Sequence, residues 1–295
     1  THALFRRTTP DLVFHLAARV GGIGANRRRP GTFFSANMAM GLNVLEAARN
    51  MATARGLVVT GSEIVGLVPF QALYQAGRAY LEAQGKSPSV PVKDVLQAAM
   101  FSMGLNDVAP FELKKKVLGL PKAYPSGLMD MRCRDLVDEV SRGTPAPGGG
   151  SIAALAGSLG AALASMVANL TQGKAGSEIA EQQLLAAAEK AQRVKDALIL
   201  AVDEDTFAFS AYMDARRLSA GTAEEKADRA AKMQEGLRLA VEVPLRTARL
   251  SYEAMETAEV TMRHGNPNSI TDAMVGFTIA FAGVRGGIWN VLINL

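Results

Sequence analysis

Thr144-Pro-Ala-Pro-Gly-Gly-Gly-Ser151 runs straight into Ile152-Ala-Ala-Leu-Ala-Gly-Ser-Leu-Gly-Ala-Ala-Leu-Ala-Ser-Met-Val-Ala-Asn-Leu-Thr-Gln172, and this passage decides the fold. Two prolines stiffen the approach, and three glycines remove every side chain where an uncharged helix is predicted to begin. Within it Ala153, Gly157, Ala161 and Ser165 make a ridge of small residues one turn apart. Ile152, Leu155, Leu159, Leu163, Met166 and Leu170 lie on the other face. Small ridges let helices approach closely, so the spacing predicts the central helix of a bundle or a dimer seam. Glycines at a helix start also let a ligand reach the backbone, where unpaired N–H groups favour an anionic or carbonyl-bearing partner. Two readings stay open at this point, a ligand site and a plain turn between packed helices. No Gly-Lys-Ser/Thr follows the glycines, which excludes a P-loop.

Outward from this stretch the C-terminal part is helical almost throughout. Cys133–Val140 reads as a short amphipathic helix, and Glu178–Leu218 as a long one ended by Ser219-Ala-Gly221. Thr222 and Glu225 have the spacing of a capping box for a helix running to Met262, with a kink expected at Pro244. A last apolar helix starts at Ile270, where Ser269 and Asp272 also have capping-box spacing.

The N-terminal part has another character. Asp11–Ala18 reads as a short strand and Phe33–Arg49 as a helix, a βα unit. Gly22-x-Gly24 lacks the third small residue of a dinucleotide fingerprint, since Arg27 stands there. Arg55–Pro69 reads as strand and turn, followed by a helix to about Gln84, a loop over Lys86–Pro91, and helices over Val92–Met103 and Glu112–Leu120. The fold class expected is therefore mainly α, with a truncated α/β portion in front.

The chain has 295 residues, 48% of them hydrophobic and 20% charged, as in ordinary globular proteins. Seven arginines against Asp11 and Glu46 put +5 in the first fifty residues, leaving −1 of the net +4 for the rest. The main body thus has no basic stripe, and no nucleic-acid partner is expected. A single cysteine, Cys133, fits a reducing, cytoplasmic setting. His2, His15 and His264 with Cys133 make no metal-ligand cluster, so no metal is expected. Gly143–Gly173 is long enough to span a bilayer but is dominated by Ala, Gly and Ser, and is read as a buried helix rather than a membrane span. The start at Thr1 and the stop inside an apolar run read as a piece of a longer protein.

Several polar residues interrupt apolar helix surfaces. Asp205 has Leu198, Ala201, Val202, Ala208, Phe209 and Tyr212 as its three-, four- and seven-residue neighbours, which points its carboxyl into packed surroundings. Such a carboxyl has a raised pKa suited to a general acid, or else pairs with an arginine from another helix. Asp272 suits either a cap or a site. Asn290 and Asn294, one turn apart, suit either the edge of a heteroaromatic ring or an internal contact. His264 beside Gly265 reads as a cation at a helix C-terminus.

Three resemblances cover the chain. Pro10–Asn26 with Phe34, Asn37 and Gly41–Ala48 resembles the middle of sugar-nucleotide enzymes such as GDP-fucose synthase, without their glycine-rich turn or Tyr-x-x-x-Lys pair. Thr60-Gly-Ser-Glu-Ile-Val-Gly-Leu-Val-Pro69 and Gly104-Leu105…Ala109-Pro-Phe111 resemble the last part of a glutamate formiminotransferase domain. Leu136-Val-Asp-Glu-Val140, Ala146-Pro-Gly-Gly-Gly-Ser151, Gly160–Val167, Asp203-x-Asp205-x-x-Ala-Phe209, Val243-Pro-Leu245, Gly265-Asn266…Asp272 and Asn290–Asn294 are similar to formiminotetrahydrofolate cyclodeaminase and its relative methenyltetrahydrofolate cyclohydrolase. The domains expected are residues 1–52, 53–122 and 127–295 respectively.

The last resemblance implies an all-helical dimeric domain, or a higher homo-oligomer, that binds a reduced folate, polyglutamylated or not, in a groove near the glycine loop. Its catalytic aspartate maps onto Asp205, and its substrate-binding residues onto Pro147, Gly148, Gly149, Gly150, Ser151, Asp272 and Asn290. The reaction implied is closure of 5-formiminotetrahydrofolate to 5,10-methenyltetrahydrofolate with loss of ammonia. A tetrahydrofolate derivative is the substrate and no tightly bound cofactor is implied. Hydrolysis of the methenyl ring is the alternative enzyme reading. A non-catalytic helical fragment that only oligomerises is the reading from another class.

Overall fold

The computed structural model describes residues 47, 50–56, 67–107, 109–120 and 127–295, and these form two compact units. The strand expected over Asp11–Ala18 and nearly all of the helix expected over Phe33–Arg49 lie outside the described residues. So do residues 57–66 of the expected strand and turn.

In the smaller unit Pro69, with φ −67°, starts helix α1 (Phe70–Ala83), and α2 (Val92–Ser102) packs against it. The helices touch at Gly77, where an added Cβ would lie 2.0 Å from the carbonyl oxygen of Val95, so only glycine allows this crossing. Val68, Leu73, Leu96, Ala99, Leu105, Phe111 and Val117 form its core. The helix expected over Glu112–Leu120 is corrected. Only α3 (Leu113–Lys116) is helical, and strand β2 (Val117–Leu118) follows, parallel to β1 (Val68–Pro69) with Val68 opposite Val117. A β-branched valine beside a partner strand buries its side chain in this core, and that pairing outweighs local helix propensity.

The larger unit comprises Gly85–Pro91 and the residues from Gly127 onward. A short helix α4 (Cys133–Val140) precedes four long ones: α5 (Gly149–Thr171), α6 (Glu178–Arg217), α7 (Ala223–His264) and α8 (Ile270–Asn294). Helices α5 and α7 each pack against the other three long helices. The small ridge of α5 is buried. A Cβ on Gly157 would lie 2.2 Å from Ser251 Oγ of α7, and one on Gly160 would lie 2.7 Å from the Gly276 carbonyl of α8. Part of the other face of α5 points outward, with Leu159 and Leu170 each 50% exposed. Helix α8 likewise exposes Met274, Phe281, Trp289 and Leu292. Among the described residues two helical stretches, Gly149–Thr171 and Pro267–Asn294, are long and apolar enough to cross a membrane; the first is a core helix of this bundle.

The helix ends follow local chemistry in most places. Ser177 caps α6 by accepting from the Ala180 N–H, and Thr222 with Glu225 forms the full capping box of α7. The box expected at Ser269 and Asp272 does not form. Asn266 instead turns its side chain to the Asn268 N–H and shapes a short 3-10 turn, Pro267–Ser269, ahead of α8. Helix α7 continues through the buried Pro244. Proline has no N–H to give the carbonyl four residues back, and the side-chain amide of Asn294 on α8 supplies that donor to Ala240 O at 2.8 Å.

Candidate functional site

The turn of residues 141–148 ends with Pro147 buried after a cis Ala146–Pro147 bond, and Gly148 is the N-cap of α5 in extended conformation. Helix α5 thus begins at Gly149, three residues before the predicted Ile152, and Gly149, Gly150 and Ser151 form its first turn. Gly149 is exposed, whereas Gly150 is buried and Ser151 has no exposed surface.

Asp205 meets this first turn from the middle of α6. Its Oδ2 accepts the Ser151 hydroxyl at 3.1 Å, and its carboxylate also takes the Ser151 backbone N–H. That N–H is one of the donors a helix start leaves unpaired, so Asp205 caps α5 from another helix. The approach is possible because Gly150 has no side chain: a Cβ there would fall 2.2 Å from Asp205 Oδ1. Burial pushes the Asp205 carboxyl above its ordinary pKa, and the hydroxyl and then the backbone N–H of Ser151 pull it back part of the way. Neutral and charged forms are thereby held closer in energy than burial alone would leave them.

The arginine pairing considered for Asp205 goes to its neighbour, since Arg246 of α7 binds Glu204. Asp203 is more buried than either, at 5% exposure, and its Oδ1 accepts the Leu128 N–H at 2.5 Å. It ties residues 127–128 to α6 against Gly127, where a Cβ would lie 2.6 Å from its Oδ2. Sequence reasoning gave this residue no role of its own: among its helical neighbours Ile199, Leu200 and Phe207 are apolar, but Asp196, Thr206 and Ser210 are polar. Thr206 was also missed. Its hydroxyl lies 3.1 Å from Ser151 Oγ, and no spacing rule marks it.

Asn290 completes the cluster from α8. An ideal Cβ on Gly149 would stand 3.3 Å from Asn290 Nδ2, which donates to the Gly286 carbonyl at 2.8 Å. Asn294, one turn on, donates to Asn290 O and to Ala240 O, so it serves the backbone rather than a ring. Asp272 does not join the site within one chain. It sits in the first turn of α8, eighteen residues before Asn290 and roughly 27 Å away along the axis. The structure therefore gathers Gly149, Gly150, Ser151, Asp205, Thr206 and Asn290, with Pro147 and Gly148 leading in. Among the described residues no group of three or more His, Cys, Asp or Glu is placed to hold a metal ion. Two larger hollows, about 430 Å³ beside Gly173–Glu178 and about 400 Å³ between Lys190 and His264, are not lined by these residues.

The arrangement can move a proton. It offers a titratable carboxyl at the N-terminus of a helix, next to an amide and beside the exposed Gly149.

The chain is also similar to known proteins. Residues 132–295 match the formiminotransferase-cyclodeaminase family, and residues 34–120 match the formiminotransferase domain. Formimidoyltransferase-cyclodeaminase of Mus musculus is 35% identical over 255 residues, which is 85% of this chain and 47% of that protein. Methenyltetrahydrofolate cyclohydrolase of Methylorubrum extorquens is 42% identical over 158 residues, 54% of this chain and 76% of that protein. A crystal structure of formiminotetrahydrofolate cyclodeaminase from Thermotoga maritima aligns at 27% identity and a TM-score of 0.49, covering 56% of this chain and 78% of that one. The chain spans about half the length of the formimidoyltransferase-cyclodeaminases it matches. The resemblance of residues 10–48 to sugar-nucleotide enzymes gains no support, and the formiminotransferase match reaches back to residue 34, inside that stretch.

Proposed function

From the premise that this chain belongs to the formiminotransferase-cyclodeaminase family, we propose that its helical unit closes 5-formiminotetrahydrofolate to 5,10-methenyltetrahydrofolate and releases ammonia. The observation that carries this reading is Asp205, raised by burial and held against the first turn of α5 by Ser151.

The chemistry asks for one mobile proton. In the amidinium form of the substrate, N10 attacks the formimino carbon and becomes positively charged as the new C–N bond forms. Asp205 takes the N10 proton and passes it to the amino nitrogen on the same carbon. The bond to that nitrogen then breaks, ammonia departs, and the positive charge stays on the N5–C–N10 bridge. A carboxyl that titrates closer to neutrality than an ordinary aspartate gives and takes this proton at low cost. The exposed Gly149 lets the ring lie against the backbone, Gly148 caps α5 and Gly150 makes room for Asp205, and the Asn290 amide offers an edge contact to a heteroaromatic ring. Pro147 shapes the turn and Ser151 holds the acid. Asp272 would enter only from a second copy of the chain. The apolar outer faces of α5 and α8 fit burial in a homodimer, and the chemistry is assigned to the cytoplasm.

The second reading, hydrolysis of the methenyl ring by water, is favoured by the cyclohydrolase relative. The formiminotransferase match ahead of the bundle favours cyclodeamination, because such a domain would deliver the formimino group. Incubating the full chain with formimino-folate and, separately, with the methenyl form distinguishes them. Ammonia release exceeding methenyl hydrolysis is expected; hydrolysis without ammonia release would transfer the assignment.

A further inference from the structure

Ser151 Oγ has two neighbours and one proton. It lies 3.1 Å from Asp205 Oδ2 and 3.1 Å from Thr206 Oγ1, and Ser151 itself has no surface exposed to water. Which way the Ser151 hydrogen points is therefore decided by these three groups together.

When the carboxylate is charged it can only accept, so Ser151 donates to Oδ2 and Thr206 must donate to Ser151. When the carboxyl carries its proton on Oδ2, that proton goes to Ser151 Oγ and the Ser151 proton turns to Thr206. Thr206 is only partly buried, so its own proton can then turn to solvent. The two arrangements differ only by rotation of hydroxyl hydrogens. No heavy atom moves, and no buried oxygen is left without a partner in either.

We propose that Ser151 and Thr206 form a reversible hydroxyl pair that keeps Asp205 in one geometry through both of its protonation states. They are positioning residues, acting on the reaction through Asp205. The inference rests on the cyclodeaminase reading, in which one carboxyl takes the N10 proton and then gives it to the departing nitrogen. If the acid shifted position between these two steps, the second transfer would lose its alignment.

Charged groups do not substitute for the pair. Helix α5 carries no charged residue. On α6 itself Asp203 is engaged by the Leu128 N–H and Glu204 by Arg246 of α7, and Asp130 of the 3-10 turn packed on α6 is exposed. On α8 Arg285 lies over the rings of Phe281 and Trp289. Burial and Ser151 are the influences that set the Asp205 carboxyl.

The pair makes a prediction of opposite sign for its two members. Ser151→Ala removes the donor to the charged form, so the Asp205 titration moves up. Thr206→Val leaves that donor but takes away the acceptor that the neutral form needs, so the titration moves down. Each shift is on the order of one pH unit, and Thr206→Ser returns the titration to its wild-type position. The test is an NMR titration of carboxyl-labelled aspartate in the full chain, assigned by its loss in Asp205→Asn, beside the pH profile of ammonia release.

Opposite displacements support the pair. Displacements of the same sign, or none, overturn it. Should Ser151→Ala fail to fold, Thr206→Val decides alone: a downward shift supports the pair and an unchanged titration overturns it. Opposite carboxyl shifts with an unmoved kinetic profile would leave the pair standing and remove Asp205 from catalysis, so the two failures are separable.

Discussion

Replacing Gly150 by alanine puts the contact between α5 and Asp205 under direct strain. The added Cβ would lie 2.2 Å from Asp205 Oδ1 and 2.6 Å from its Cγ. An ordinary contact needs about 3.5 Å, so the carboxylate must retreat by roughly 1 Å. Its short side chain can turn away, but only by abandoning the Ser151 hydroxyl and N–H. Losing these two hydrogen bonds to a charged group costs about 3–6 kcal/mol, while alanine in place of glycine inside a helix returns about 1 kcal/mol. The net loss of stability is therefore about 2–5 kcal/mol. Catalysis suffers in the fraction that stays folded as well, because a displacement of about 1 Å at a reacting group can cost 10²-fold. Neighbouring glycines supply controls. A Cβ on Gly148 meets Pro145 O at 3.5 Å, an ordinary contact, and one on Gly149 meets Asn290 Nδ2 at 3.3 Å. The expected order of lost ammonia release is thus Gly150→Ala far above Gly149→Ala, with Gly148→Ala near wild type. Initial rates, a thermal melt and calorimetric binding of a reduced folate on each variant give the answer. Wild-type turnover in Gly150→Ala, or an equal loss in Gly148→Ala, would refute the geometry on which the site is built.

Two further outcomes concern stability. Asn294→Ala should cost about 0.5–1.5 kcal/mol in urea unfolding; in a Pro244→Ala background, whose residue 244 has its own N–H for the Ala240 carbonyl, the same change should cost measurably less, whereas strict additivity would show that the amide does not replace the missing backbone donor. Asp205→Asn should leave the fold more stable relative to wild type as pH rises. Because burial raises the folded pKa, the wild-type chain ionises first in the unfolded state, so its stability falls from the ordinary aspartate value upward until pH passes the folded pKa. Asparagine has no such titration, so the difference should grow across that window and then level off. A difference that shrinks with rising pH would contradict the burial argument.

What the sequence made legible is what neighbouring residues decide among themselves. Cys133–Val140 matches its expected bounds, and the ends of α6 and α7 fall within two residues, because Ser177, Thr222 and Glu225 cap locally. The small ridge of α5 marked a helix that packs closely against the other three long ones. The Glu112–Leu120 helix was misread because Val117 answers to Val68, some fifty residues away. The box at Ser269 failed because Asn266, just outside the expected motif, takes over the turn. At the site, the apolar neighbours of Asp205 disclosed its burial, but its partner, the first turn of α5, lies fifty-four residues earlier in the chain. Pro244 announces an orphaned carbonyl at Ala240, yet nothing local names Asn294 as its donor. Asp272 shows the opposite case, a residue with a suggestive type that a helix's length places at the far end.

The central claim is that Asp205, held on the glycine-rich start of α5, carries the proton in folate cyclisation. The most direct measurement is ammonia release from 5-formiminotetrahydrofolate by Asp205→Asn, with folate affinity measured on the same preparation. Asparagine keeps the shape and an acceptor for Ser151 but cannot shuttle a proton. The account predicts a rate lower by about 10²–10⁴-fold with folate affinity close to wild type. Turnover at the wild-type rate would contradict it.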